Sequence, residues 1–263
     1  MTTTPPLLVT GGTGTLGRLV VPLLREAGHP VRVLSRHEHP AADGVEYVAA
    51  DLLKGEGLQP ALTDVSTVLH LAGGPKGGDR ATEHLVRAAA RAEVRHLVLI
   101  SVIGAGRVPL GYLRAKAGAE RAVAGSGVPW TTLRAAQFHE LVFTMARALT
   151  RLPVVPVPSG LRLEPVAARE VAARLVELTL GEPAGLVPEL AGPAVRPLPE
   201  LVREYLQAEG GRRPLLPVRL PGRAGRAYRE GANLAGDPVE RATVSWERFL
   251  AERAANRSAD SRR

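Results

Sequence analysis

The chain has 263 residues, 45% of them apolar, enough for one large or two small α/β units around a substantial core. It has no cysteine, which excludes disulfides, thiolate metal sites and a thiol nucleophile, and its seven histidines lack metal-ligand spacing, so no metal is expected. The net charge of +8 comes without a helix-turn-helix, zinc or RNP-type motif and with few aromatic residues, so no nucleic-acid partner is expected either.

In chain order, MTTTPPLLVTGG lacks the basic start and long apolar run of a secretory signal, and no stretch of about 18 apolar residues could cross a bilayer. A cytoplasmic protein without a membrane partner is the expectation. "PLLVT" reads as a strand, "GGTGTLG" as a glycine loop and "RLVVPLLREAG" as a helix. The alternation continues with strands at "VRVLSR" and "VEYVAADL", a short helix end at "ALTDV", and a strand at "STVLHLAGG". It then gives the helix "DRATEHLVRAAARAE", the strand "VRHLVLIS", the helix "GYLRAKAGAERAVAGSG" and the strand "VPWTTLRAA". Apolar runs without strict alternation predict strands covered on both faces, hence a doubly wound parallel sheet of the Rossmann type.

From about residue 150 the texture changes to proline-rich short strands in "RLPVVPVPSGLRLEPV". Helices are predicted at "AAREVAARLVELTLGEP", "RPLPELVREYLQAEGG" and "PVERATVSWERFLAERAA". The expected organisation is a dinucleotide-binding core over 1–150, a smaller, interleaved substrate lobe over 151–255 and a disordered tail over 256–263. On the last helix, Trp246 and Phe249 stand three apart and are predicted core residues of the lobe.

In "VTGGTGTLGR", Gly11, Gly14 and Gly17 follow a strand and open a helix. The first permits the turn, the second the approach of a pyrophosphate and the third the packing of helix on strand. The second strand ends in Ser35, Arg36 and His37 where an NAD-preferring site carries an acid; a guanidinium there attracts a 2′-phosphate, so NADP(H) is favoured over NAD(H). Downstream, Tyr112 and Lys116 form a Y-x-x-x-K pair that places both side chains on one helix face. With four tyrosines and three lysines against 31 arginines, such a pair is expected by chance only about 0.05 times.

The glycine loop, "AADL", "LHLAGG" and "YLRAK" in this order resemble the NmrA-like group of atypical short-chain dehydrogenase/reductases, over about residues 6 to 250. That group includes NADPH-dependent reductases of quinones and other carbonyls, and proteins that bind the dinucleotide as a redox sensor. The resemblance implies that Gly11, Thr13, Gly14, Thr15, Leu16 and Gly17 form the phosphate loop and that Arg36 takes the 2′-phosphate. Asp51 and Leu52 would flank the adenine, and Leu71, Ala72 and Gly73 would form the floor beneath ribose and phosphates. Ala135 and Gln137, with Ala136, would pass the nicotinamide, and Phe138 and His139 would meet a small-molecule substrate. Tyr112 and Lys116 match the catalytic tyrosine and lysine, the ammonium stabilising the phenolate and bonding the ribose. The hydroxyl two residues beyond Ser101 that would orient a carbonyl is replaced by Ile103, leaving Ser101, Gln137 or His139 for that task. The alternative implied is a sensor without turnover. No apolar surface stripe selects between a monomer and a homodimer.

Overall fold

The computed structural model describes residues 5–37, 44–74 and 77–260. The chain runs β1 (Leu7–Thr10), α1 (Gly17–Glu26), β2 (Val31–Ser35), β3 (Val45–Ala49), α2 (Leu58–Ala61), β4 (Thr67–His70), α3 (Gly78–Arg91), β5 (His96–Val102), α4 (Gly111–Ala124) and β6 (Trp130–Ala135). It continues with α5 (His139–Leu149), β7 (Val155–Pro158), β8 (Arg162–Leu163), α6 (Ala168–Leu180), β9 (Gly185–Leu186), β10 (Glu189–Ala191) and β11 (Arg196–Pro197). Last come α7 (Leu198–Ala208), β12 (Leu215–Val218), α8 (Gly222–Arg229), β13 (Val239–Arg241) and α9 (Trp246–Asp260).

These elements form two compact units. The first holds the chain up to Gly106 with Leu110–Arg134 and Arg169–Val187; the second holds Arg107–Pro109, Ala135–Ala168 and the chain from Pro188 on. Against the expected boundary at residue 150, the chain thus leaves the first unit after Arg134 and returns to it for most of α6.

In the first unit the strand order is β6-β5-β4-β1-β2-β3, with β9 beside β6. The pairs β1–β2, β1–β4, β2–β3 and β4–β5 are all parallel, which is the doubly wound α/β arrangement expected. Alternation along the strands sends Leu8, Val68, Leu97 and Leu99 into one core with Leu85 and Ala89 of α3 and Val123 of α4. Their neighbours Val9, Leu69 and Val98 are equally buried and turn to the other face. Each such fully buried aliphatic side chain contributes about 1.5–3 kcal/mol. Helix α1 ends in a Schellman turn: the His29 amide bonds the Leu24 carbonyl at 3.1 Å and the Gly28 amide that of Arg25 at 2.9 Å, with Gly28 at φ +84. Helices α3 and α4 approach closely because Gly118 has no side chain; a Cβ there would stand 2.8 Å from that of Asp79.

In the second unit β10 pairs in parallel with β13, and Leu190 pairs with Ala135. Strands β7 and β12 form a separate parallel ribbon. Its core gathers Val155, Val157, Leu198, Leu201, Tyr205, Trp246 and Leu250. Trp246 and Phe249 stack at 5.4 Å, as their spacing predicts. Two expectations are corrected. The segment predicted as one helix from "PVERATV" begins with β13, which pairs in parallel with β10, and the helix starts only after Ser245, whose Oγ accepts the Arg248 amide at 3.3 Å. The tail predicted as disordered from residue 256 is helical through Asp260, extending α9; residues 261–263 lie outside the described part.

Candidate dinucleotide and proton-transfer site

The loop between β1 and α1 is shaped by contacts that no side chain could survive. Gly11 sits at φ +71, and a Cβ on it would stand 2.8 Å from the Ala72 nitrogen. A Cβ on Gly17 would lie 2.4 Å from the Gly11 oxygen and from two Gly12 backbone atoms. Gly12, absent from the predicted set, is also tight, though against a side chain rather than backbone: a Cβ would meet Val33 at 2.7 Å. Gly14 differs: its nearest neighbour would be the Gly11 oxygen at 3.2 Å, and it lies exposed between Thr13 and Thr15. The chain's own packing does not demand glycine there, whereas a ligand drawn close to the backbone would. Among the described residues the Thr15 and Leu16 amides find no backbone acceptor, while Arg18 and Val20 already bond back to Gly14 and Leu16. An open cradle with unsatisfied donors at a helix start fits a dinucleotide's pyrophosphate.

At the end of β2, Arg36 and His37 are exposed, and Arg36 makes no ion pair among the described residues. Asp51 is committed to its own turn: its Oδ1 accepts the Leu53 amide at 2.8 Å and the Lys54 amide at 3.3 Å. Leu52 buries its side chain in the core and its carbonyl bonds His84 Nδ1 at 2.9 Å. Only its backbone is therefore left to border an adenine.

The floor Leu71–Gly73 is tied down by a chain of hydrogen bonds that sequence reasoning missed. The Ala72 amide donates to Thr10 Oγ1 at 3.2 Å, and Thr10 Oγ1 lies 2.6 Å from His70 Nδ1. His70 Nε2 lies 2.9 Å from Thr82 Oγ1, whose proton goes to the Gly78 carbonyl at 2.8 Å. Since Thr82 spends its proton on Gly78, His70 must donate through Nε2 and accept from Thr10 through Nδ1, which fixes the neutral tautomer. Burial, followed by the charge on Lys116, lowers the His70 pKa to about 3, so the imidazole stays neutral at working pH. The signal was present in the sequence as a threonine and a histidine ending β1 and β4, which the parallel register sets side by side.

Tyr112 and Lys116 lie one turn apart on α4 but in different surroundings. Tyr112 is 39% exposed, whereas Lys116 is 8% exposed, and its Nζ donates to the Ile100 carbonyl at 3.1 Å. The ammonium also lies close to the floor: a Cβ on Gly73 would stand 2.8 Å from Nζ. The lysine thus lies directly under the floor loop. Burial lowers its pKa to about 8 against the opposing pull of Glu120. The expectation that Lys116 draws the phenol towards phenolate is corrected for the protein by itself. Burial instead raises the Tyr112 pKa, so the hydroxyl keeps its proton.

The end of β5 carries one hydroxyl, that of Ser101. Ser101 is 1% exposed, with its Oγ unpartnered among the described residues, and Ile103 is fully buried. In the second unit, Ala135 and Ala136 are buried, while Gln137 and Phe138 are half-buried, the Gln137 Oε1 lying unpartnered among the described residues. His139, expected to meet substrate, is 0% exposed. Its Nε2 donates to the Pro165 carbonyl at 3.1 Å, and its ring packs 5.1 Å from Phe249 and 5.8 Å from Trp246. A tightly packed imidazole with its Nε2 proton on a carbonyl is a structural residue, and the substrate role is corrected accordingly.

Cradle, floor and buried lysine together define a Rossmann-type dinucleotide-binding protein. The chain belongs to the NAD(P)H-binding family, whose model matches residues 11–178. It is 35% identical over 183 residues to the (4-alkanoyl-5-oxo-2,5-dihydrofuran-3-yl)methyl phosphate reductase of Streptomyces griseus, covering 66% of this chain and 63% of that protein. It is 32% identical over 177 residues to the NAD(P)H azoreductase of Xenophilus azovorans, covering 65% and 62%. The chain therefore spans just under two thirds of the length of these relatives. In fold it is similar to the crystal structure of an NADPH-dependent quinone oxidoreductase of Escherichia coli complexed with NADPH, at a TM-score of 0.80 and 22% identity over 94% of this chain and 99% of that one. Among the described residues no helix is long and apolar enough to cross a membrane.

Proposed function

We propose that the protein is an NADPH-dependent oxidoreductase that reduces a small carbonyl or quinone-type substrate. The observation that carries this reading is the division of labour on α4: an exposed, protonated Tyr112 one turn before a buried Lys116 whose ammonium lies against Gly73. Bound NADPH would supply the hydride. The amides of Thr15 and Leu16 and the start of α1 would hold the pyrophosphate, and Arg36 the 2′-phosphate. Lys116, fixed by the Ile100 carbonyl, would reach a nicotinamide ribose across the floor. With its pKa raised, Tyr112 holds its proton and has one to give to an oxygen that gains negative charge during reduction, but as a weaker acid than a free phenol it would depend on the Lys116 ammonium and the oxidised nicotinamide to stabilise the phenolate left behind. The names of the relatives, reductases of a furanone phosphate and an azo compound, support reduction as the reaction class.

The test is loss of nicotinamide absorbance when the purified protein and NADPH meet a panel of quinones, ketones and aldehydes. Tyr112→Phe is expected to lower kcat/KM for a ketone on the order of 10²- to 10⁴-fold while leaving NADPH affinity unchanged. A loss smaller than twofold would remove Tyr112 from the mechanism. For cofactor choice, Arg36→Asp is expected to weaken NADPH binding at least about tenfold and to spare NADH, since only the former places charge beside residue 36. Parallel changes for the two cofactors, read by fluorescence titration, would refute that role.

One observation favours a second reading, a redox-responsive binding protein that distinguishes NADP from NADPH. Ile103 carries no hydroxyl and Ser101 is 1% exposed, so no exposed hydroxyl stands at the end of β5 to orient a carbonyl. Micromolar NADPH binding with no turnover across the panel would select this reading.

A further inference from the structure

Beyond the dinucleotide chemistry, we propose that the second unit binds a small amphipathic anion, an alkyl or aryl body ending in an oxyacid head. Between the β7–β12 ribbon and α7 lies a cavity of about 390 Å³, walled by Val157, Leu161, Leu215 and Pro217 and flanked by Arg162 and Arg203. The register explains the apolar wall. Leu215 pairs with Val155 and Pro217 with Val157, so alternate residues of both strands face one way, while Leu216 and Val218 face the other. A pocket of this size with apolar walls and a few charged groups is the usual form of a small-ligand site.

Charge complementarity selects the ligand. Arg162 and Arg203 make no side-chain hydrogen bond or ion pair among the described residues, in contrast to Arg196, which engages Glu200, Glu204 and Glu247. Both carboxylates within α7, Glu200 and Glu204, are therefore already paired with Arg196. The Arg162 guanidinium lies over Gly231, whose φ of +80 and missing side chain leave room for it; a Cβ there would stand 3.2 Å from Nη2. Gly160 is overlain by the stem of Arg229, whose own Nη1 is spent on the Leu220 carbonyl at 2.9 Å. Two arginines that border an apolar cavity and have no side-chain partner among the described residues match a carboxylate or phosphate head, with the apolar body inside. None of these residues serves the proposed hydride chemistry, so the two readings stand or fall separately.

Calorimetric titration of the full chain with octanoate, octyl phosphate and octanol, without NADPH, tests the site. At least one anion is expected to bind at least tenfold more tightly than octanol, and which one shows whether the head is carboxylate or phosphate. Arg162→Gln with Arg203→Gln, both exposed and so tolerated by the fold, should lower anion affinity at least tenfold and leave octanol and NADPH affinity unchanged. Equal binding of octanol and both anions, no anion binding up to millimolar concentration, or indifference of anion affinity to the double substitution would each overturn the proposal.

Discussion

Replacing Lys116 with methionine is expected to stabilise the ligand-free protein at pH 7 by about 2 kcal/mol while removing turnover. The sign follows from linkage. The folded-state pKa of Lys116 is about 8, against 10.5 for the free side chain. Below pH 8 the lysine is charged in both states, and the folded protein carries the full cost of burying the charge, about 3 kcal/mol at 1.36 kcal/mol per pKa unit. Between pH 8 and 10.5 the unfolded chain binds more protons than the folded one, so this group makes stability rise with pH. Methionine is nearly isosteric and keeps the apolar stem contacts, but leaves the Ile100 carbonyl without its donor, which returns about 1 kcal/mol. Urea denaturation at pH 7 and pH 10 reads both effects: the wild type should gain stability across that interval from this group, and Lys116→Met should lack the gain. A variant less stable than wild type at pH 7, with a parallel pH dependence, would show that the ammonium is not held at a cost. The same depressed pKa sets a functional limit. With the ammonium responsible for ribose binding, kcat/KM should fall as pH rises through about 8. A charged lysine buried at such a cost is what the proposed role in ribose binding would require.

The parts of the site written in backbone conformation were legible from the sequence, and the parts written in side-chain surroundings were not. Three glycines after an apolar run leave few alternatives to a turn that a helix follows, so the cradle and the parallel sheet could be read directly. The spacing of Tyr112 and Lys116 gave a shared helix face, but a spacing carries no burial. That Lys116 sits under Gly73 depends on the close approach of α4 to the floor loop. Ser101 and Ile103 illustrate the same limit: the strand end was placed correctly, yet the direction of each side chain there came from the tertiary packing. His139 lay at the predicted loop but turned inward to Trp246 and Phe249, because an imidazole can fill an aromatic core once its Nε2 proton finds a carbonyl. The helix α8, GRAGRAYR, carries too few apolar residues to announce itself, and β13 is a three-residue strand whose existence depends on the β10 edge.

The glycines of the cradle provide a separation of fold from binding that no polar substitution can match. Gly17→Ala is expected to destabilise the protein by roughly 3–5 kcal/mol, since the new methyl would lie 2.4 Å from backbone atoms of Gly11 and Gly12 that cannot yield without moving β1 or α1. Cofactor binding would be lost with the fold. Gly14→Ala meets only the Gly11 oxygen at 3.2 Å, a contact relieved by a few tenths of an ångström, and φ at residue 14 does not require glycine. Its midpoint in urea should therefore stay close to that of the wild type. If the loop holds a pyrophosphate, however, the methyl would project from the exposed surface that the phosphates must approach, and NADPH affinity should fall at least about 100-fold. The comparison of the two alanine variants, each measured by denaturation and by NADPH fluorescence, distinguishes a glycine kept for the chain's own packing from one kept for a ligand. Should Gly14→Ala bind NADPH as the wild type does, the pyrophosphate does not lie against this loop, and the cofactor assignment for Gly11 to Gly17 would have to be withdrawn.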